Sequence, residues 1–236
     1  MKTTVLSIGG SIINPGEPDV KFLAEFRSRI RSWLEENPEE RLIFVAGGGA
    51  PARVYQKALK DVVAEVAEDV DPSELANGQD WLGIMATRIN AQLLKEIFGD
   101  FCLDEVVTNP EGVFEFTGRI LVGSGYMPGY SSDKDAVVLA KRLGADTVVN
   151  LSNIEKVYTD DPKKNPDAKP IDNIAWLEFR KMVGDTWTPG MNTPFDPIAS
   201  KLAEEAGIRV VCAKGTNIEN TMAILNGEEF VGTTIE

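Results

Sequence analysis

Apolar and polar positions along the chain switch between short dense runs and longer helical periodicities. Residues 3–9 (TTVLSIG) and 42–46 (LIFVA) are apolar runs of strand length, stopped by Gly9-Gly10 and by Gly47-Gly48-Gly49. Such runs suit strands covered on both faces. Between them, Val20, Leu23, Phe26, Ile30 and Leu34 fall at helical spacing and predict a helix over 19–35. Pro51 suits the first turn of a helix running to 62–66, and Asp71-Pro72-Ser73 breaks the chain before a long helix over about 73–98.

Further on, strands are predicted at 105–108 and 119–122, followed by the loop GSGYMPGYSSD over 123–133. A helix from Ser132 or Asp133 to Leu143 and a strand at 147–151 come next. The polar stretch KKNPDAKP (163–170) reads as an ordered hairpin or turn. A helix near 175–183, a loop through Pro194, a helix at 196–206 and a strand at 209–213 complete the pattern. Strands alternating with helices predict an α/β fold, a mostly parallel sheet covered on both faces. No repeat or linker interrupts it, so one domain with two lobes is expected.

Composition narrows the chemistry. The chain has 236 residues, enough for a substantial core, and a net charge of −13, which argues against nucleic acid as a partner. It contains no histidine, which removes Ser-His-Asp and Cys-His catalysis and the commonest zinc ligand. Its apolar runs are too short to span a bilayer, and its first ten residues lack a signal-peptide core, so no membrane partner and a cytoplasmic location are expected. Cys102 and Cys212 lie in apolar settings without C-x-x-C spacing and read as buried free thiols.

An acidic chain can still bind a small anion through backbone amides and helix N-termini. If the strands are parallel, the turns at Gly9-Gly10-Ser11, Gly47-Gly48-Gly49 and Gly123–Ser132 share the ligand-binding edge of the sheet. The first is expected to reach its helix only after the turn NPGEP. Arg53 falls one turn after the glycines, where it can face the same anion, or stand in solvent. Asp80 and Arg88, eight residues apart, share a helix face. Asp133 stands where a helix cap would be, and could instead orient a cation. Trp33, Trp81, Trp176 and Trp187 read as core or interface aromatics, and 65–71 as a solvated acidic face. Met182, Met191 and the stretch TWTPGMNTP read as a surface loop near the site or a subunit contact.

The motifs GGSI, VAGGGAPAR, DWLGIMATRINA, PGYSSDKDA, SNIEKVYTDDPKKNPDA and GTTIE occur in that order along nearly the whole chain. Together they resemble the amino-acid kinase family, and within it the archaeal-type UMP kinase branch. The resemblance implies a three-layer α/β/α sandwich that phosphorylates UMP to UDP with MgATP, usually as a homohexamer. It assigns Gly10, Ser11, Gly49 and Arg53 to the ATP phosphates, and Ser152, Tyr158 and Asp161 to the adenosine end. It assigns UMP to Gly48, Arg88, the loop Gly125, Tyr126, Met127, Pro128, Gly129, Tyr130, Ser131 and Ser132, and to Asp80 at the ribose. Arg53, Asp133 and Asp196 are its catalytic candidates, with Mg²⁺ as cofactor and no direct side-chain metal ligand assigned. An acceptor-binding lobe over about 1–145 and an ATP-binding lobe over about 146–236 follow from the same resemblance.

Departures from the family pattern are local. Ser7 stands where many members place a strand lysine directed at the phosphates, leaving Arg53, Arg88 and Lys134 as candidates to compensate. Lys156 replaces a glycine at the nucleotide end, and Gly123-Ser124-Gly125 replaces a double glycine. These departures motivate two alternatives: a related kinase with another acceptor, and a nucleotide-binding protein without catalysis.

Overall fold

The computed structural model describes residues 1–66, 70–162, 164–186 and 193–236. Among them, strands β1 (Lys2–Ile8), β2 (Glu40–Ala46), β3 (Ile120–Gly123), β4 (Thr147–Ser152), β7 (Asn173–Ile174), β8 (Arg209–Lys214) and β9 (Thr233–Ile235) form one sheet. Its order is β3-β2-β1-β4-β8-β9-β7. Strands β3, β2, β1, β4 and β8 are mutually parallel, and β9 runs antiparallel to β8. Two short strands, β5 (Val157–Tyr158) and β6 (Pro170–Ile171), pair antiparallel as a separate hairpin. The polar stretch over 163–170 is therefore a hairpin connection, with Lys163 outside the described residues.

The strands are buried on both faces, and alternate residues feed two cores. Leu6, Ile8, Leu42, Phe44, Ile120, Val122, Val149, Leu151, Val211 and Ala213 face one side. There they meet Phe22, Phe26, Ile30 and Leu34 of α2 (Val20–Glu36) and Ala91, Leu94 and Phe98 of α4 (Pro72–Phe98). Val5, Ile43, Val45, Leu121, Val148, Val210 and Cys212 face the other. They meet α5 (Ser132–Leu143), α6 (Trp176–Val183) and α7 (Pro197–Ala206). Continuous apolar strands make this α/β/α sandwich because each successive side chain has its own helical layer to enter.

Helix starts follow local chemistry. Asp19 caps α2 by accepting from Phe22 N at 3.0 Å, and Asp71 with Pro72 opens α4. The expected cap at Asp133 is corrected: Ser131 Oγ accepts from Lys134 N at 3.1 Å, and Asp133 sits two residues further in, within the first turn. The first glycine turn also differs from expectation, because a short helix α1 (Gly10–Ile13) starts there rather than after NPGEP. The expected strand at 105–108 reduces to one bridge, Val107 to Gly123, since Glu105 turns out to Lys95. Helix α3 (Gly49–Glu65) starts two residues before Pro51 and buries none of its side chains. Helix α8 (Ile218–Asn226) and strand β9 were not expected.

Trp33 and Trp176 are buried, whereas Trp81 is 40% exposed. Cys102 and Cys212 are buried and free, with burial raising both thiols. Trp187 and Met191, most of the TWTPGMNTP stretch and the middle of the 65–71 acidic stretch lie outside the described residues. Glu65, Val66 and Asp71 beside that last gap are exposed.

Candidate active site

The chain leaves β1 for β2 and β3 on one side, then crosses back to β4 and β8 on the other. That reversal opens a crevice at the carboxyl ends of β1 and β4, the usual ligand position in such sheets. Gly9 N bonds to Leu151 O at 2.8 Å and Gly47 N to Ile8 O at 2.9 Å, so the turns after β1, β2 and β4 are tied edge to edge.

At Gly10, Gly47 and Gly49 the closest neighbours are other glycines. A Cβ at Gly10 would overlap the Gly49 nitrogen and lie 2.6 Å from the carbonyl carbons of Gly47 and Gly48. Gly49 has φ +70°, and a Cβ there would lie 2.7 Å from Asn14 O. The two turns interlock backbone to backbone, which only glycine permits. Asn90, buried in α4, donates from Nδ2 to Gly47 O at 2.8 Å and to Gly48 O at 3.2 Å. Exposed Arg53, in the first turns of α3, reaches Ser11 Oγ at 3.4 Å. Gly10, Ser11, Gly48, Gly49 and Arg53 thus converge on one place, at the starts of α1 and α3.

The loop between β3 and α5 is held chiefly by α4. Thr87 Oγ1 accepts from Gly125 N at 2.7 Å while donating to Ile84 O. The Arg88 guanidinium donates to Gly125 O at 3.4 Å and Tyr126 O at 3.1 Å, and Asp80 Oδ2 accepts from Gly129 N at 3.4 Å. Asp80 and Arg88 therefore do share a face, and that face meets the loop. Burial raises the Asp80 carboxyl, partly offset by the Gly129 N–H. Tyr126 and Tyr130 meet edge to face, Lys134 Nζ lies 3.2 Å from the Tyr130 ring centre, and Tyr130 Oη bonds Glu111. Burial and the Glu111 carboxylate push the Tyr130 phenol up to about 12. Pro128 and Gly129 (φ +84°) turn the chain, Met127 is 40% exposed, and Ser131 and Ser132 lead into α5.

Asp133 and Asp196 come together at the start of α5 and α7. Asp133 Oδ2 accepts from Asp196 N at 3.0 Å, and Asp196 Oδ1 caps α7 through Ala199 N at 2.7 Å. Burial, followed by the Asp196 charge, pushes the Asp133 carboxyl up to about 7; the Asp196 N–H and the Ser7 hydroxyl pull the other way. Ser7, which stands in place of the family lysine, thus lies beside Asp133 and supplies no charge there. Of the three candidate compensating cations, Arg88 is engaged with loop carbonyls and Lys134 with an aromatic face. Arg53 is the one at the glycine turns.

No group of three or more acidic or cysteine side chains with metal-ligand geometry occurs among the described residues. Two carboxylates suit a Mg²⁺ that arrives on nucleotide phosphates and keeps several waters, not a resident protein cage.

Ser152, Tyr158 and Asp161 lie on the segment leaving β4. Ser152 accepts from Gly215 N at its carbonyl and from Ile154 N at Oγ, and Tyr158 pairs with Pro170 in the hairpin. Asp161 O accepts from Asn165 N at 2.8 Å, and its carboxylate lies 3.6 Å from Lys164 Nζ. The Lys156 side chain ion-pairs with Asp172.

Asp135 was not singled out from sequence. It is fully buried in α5, with Oδ2 accepting from Tyr126 N at 3.3 Å and Oδ1 unpartnered. Burial pushes it up to about 7, against the opposing pull of the Tyr126 N–H, Lys134 and Arg88. Its proton is held more tightly folded than unfolded, so its stability contribution is full below about pH 4 and lost as pH rises through about 7. Asp135→Asn is expected to stabilise the protein by about 1–3 kcal/mol at pH 8 and negligibly at pH 4. Urea unfolding at the two pH values tests this; a variant less stable than the parent at pH 8 would show that the Arg88 and Lys134 charges outweigh burial.

The model of the family described as "Amino acid kinase family" matches residues 2–214. A uridylate kinase from Methanospirillum hungatei is 35% identical over 240 residues, covering 100% of this chain and 95% of that one. One from Pyrococcus abyssi is 33% identical over 235 residues, covering 98% of each. The crystal structure of uridylate kinase from Archaeoglobus fulgidus is similar with a TM-score of 0.79 at 29% identity, covering 100% of both chains. A UMP kinase structure from Ureaplasma parvum, at 18% identity and TM-score 0.74, shares the fold and covers 98% of that chain.

Proposed function

The chain belongs to the amino acid kinase family, and from that premise we propose that it transfers the γ-phosphoryl group of MgATP to UMP, giving UDP and ADP. The observation that carries this reading is identity of 30–35% to uridylate kinases over 98–100% of this chain. Phosphoryl transfer asks a protein for alignment and charge neutralisation more than covalent chemistry, which suits a chain without histidine.

Gly10, Ser11, Gly49 and Arg53 would hold the ATP phosphates, and Ser152, Tyr158 and Asp161 the adenosine. Gly48, Arg88 and the loop from Gly125 to Ser132 would hold UMP, with Asp80 on its ribose. Asp80 and Arg88 are engaged with loop backbone groups, so UMP would exchange some of those bonds for its own. Asp133 and Asp196 would hold the hydrated Mg²⁺ on the phosphates, where the ion supplies positive charge to the moving group. An acceptor lobe over about 1–145 and a nucleotide lobe over about 146–236 would meet at the β1–β4 seam.

The activity belongs to pyrimidine nucleotide synthesis in the cytoplasm, and no described helix is long and apolar enough to cross a membrane. A homohexamer is the assembly we propose. It is supported by Val54, Tyr55 and Val62 on α3 and Trp81, Met85 and Ile89 on α4, all at least 40% exposed, an apolar face a second copy would cover.

A coupled ADP-release assay with ATP, Mg²⁺ and each of UMP, CMP, AMP and GMP tests the reading. UMP is expected to be preferred by at least about tenfold. Turnover of another acceptor, or of none, would overturn it.

A further inference from the structure

We propose that Asn90 is a positioning residue, aiming the backbone amides of Gly48 and Gly49 at the phosphates in the crevice; this rests on the kinase reading above. Asn90 is 1% exposed and carries a polar side chain on the buried face of α4. Both hydrogens of its Nδ2 are spent on consecutive carbonyls, Gly47 O and Gly48 O. In a planar trans peptide the C=O and the following N–H point in opposite directions. Drawing those two carbonyls onto α4 therefore turns the amides of Gly48 and Gly49 away from α4. On that far side lies the Gly10 turn, whose Cβ, if present, would overlap the Gly49 nitrogen.

Glycine makes this control necessary. Three glycines in a row leave each peptide plane free to flip, because no Cβ restricts φ or ψ. A flipped plane would present a carbonyl oxygen to a phosphate, replacing a donor with a repelling acceptor. Asn90 holds one arrangement without touching substrate. Thr87, one turn earlier on the same helix, holds Gly125 of the acceptor loop. The same face of α4 thereby sets both turns from one rigid element.

The test uses the full chain with Asn90→Ala and Asn90→Asp. Asn90→Asp keeps the size but sets acceptors against the two carbonyls. Both variants are expected to lose about 100-fold in kcat with UMP, with a smaller change in KM for UMP. Asn90→Asp should recover about tenfold, relative to the parent at each pH, between pH 8 and pH 5.5, because the protonated acid donates again. Folded variants with kcat within about threefold of the parent would overturn the proposal.

A second measurement needs neither variant nor acceptor. In the parent protein labelled at glycine, the amide signals of Gly48 and Gly49 should move on adding Mg²⁺ and a non-hydrolysable ATP analogue. Bound analogue with both signals unmoved would overturn the proposal even if the variants fail to fold. A parent inactive on UMP whose two amides still respond would instead locate the error in the acceptor reading.

Discussion

Gly10→Ala is expected to lower kcat/KM for UMP phosphorylation by about 10³-fold and stability by about 1–3 kcal/mol. The reason is steric before it is chemical. The added methyl would occupy the Gly49 nitrogen and crowd the carbonyl carbons of Gly47 and Gly48 at 2.6 Å. Backbone cannot yield as a side-chain tip can, so the two turns must separate. Separation displaces the amides after Gly10 and Gly48 together, and a shift of about 1 Å in aligned groups is enough to cost 10²-fold in rate. Gly16→Ala serves as the control: nothing lies within 4 Å of its Cβ and its φ is not in the left-handed region. That variant should match the parent within about 0.5 kcal/mol and in rate. Steady-state kinetics and urea unfolding on both proteins give the comparison, and a Gly10→Ala enzyme of normal rate would contradict the interlock.

Arg53→Ala is expected to reduce kcat by 10²–10³-fold, about 2.7–4 kcal/mol of transition-state stabilisation, while leaving the fold intact. Arg53 is exposed, makes no ion pair among the described residues, and touches Ser11 Oγ only at 3.4 Å. Its removal therefore leaves no buried group unpaired, and thermal unfolding should shift little. The guanidinium is the cation at the glycine turns, in a chain whose Ser7 supplies no charge. Arg53→Lys should recover only part of the loss, because an ammonium lacks the planar fork. Unchanged kcat in Arg53→Ala would remove that residue from the transfer site.

Most of the fold was legible because the strands carry their own signal. Continuous runs such as Leu42–Ala46 have both faces covered, and glycines stop β1 and β2 where the crevice begins. Asp80 and Arg88 were legible as sharing a face because α4 is long and regular. Short elements were not: α1 has four residues and shows no periodicity, and β9 has three. The Glu105–Thr108 stretch reads as a strand by composition, yet only Val107 lies alongside β3. From sequence Asp133 reads as a cap because a carboxylate near a helix start is a common one. Ser131, two residues earlier and extended at φ −85°, ψ 161°, takes that role instead.

What no spacing rule could show is contact across long separations in sequence. The meeting of Gly10 with Gly47–Gly49, the nearness of Ser7 to Asp133, and the burial of Asp135 beneath Tyr126 all depend on it. Asn90 and Thr87 gave a faint signal, two polar residues three apart on a face otherwise lined by Ile84, Ala91 and Leu94.

The strand order also bears on how the chain collapses. β3, β2 and β1 come from residues 2–123, and β4, β8, β9 and β7 from residues 147–235. Each half of the sheet can therefore pair within itself, over shorter loops, before the halves meet. They join along one ladder, Val5–Ile8 beside Val148–Leu151. The crevice lies at the end of that ladder, so a chain competent for turnover is one in which the seam between the two halves has closed.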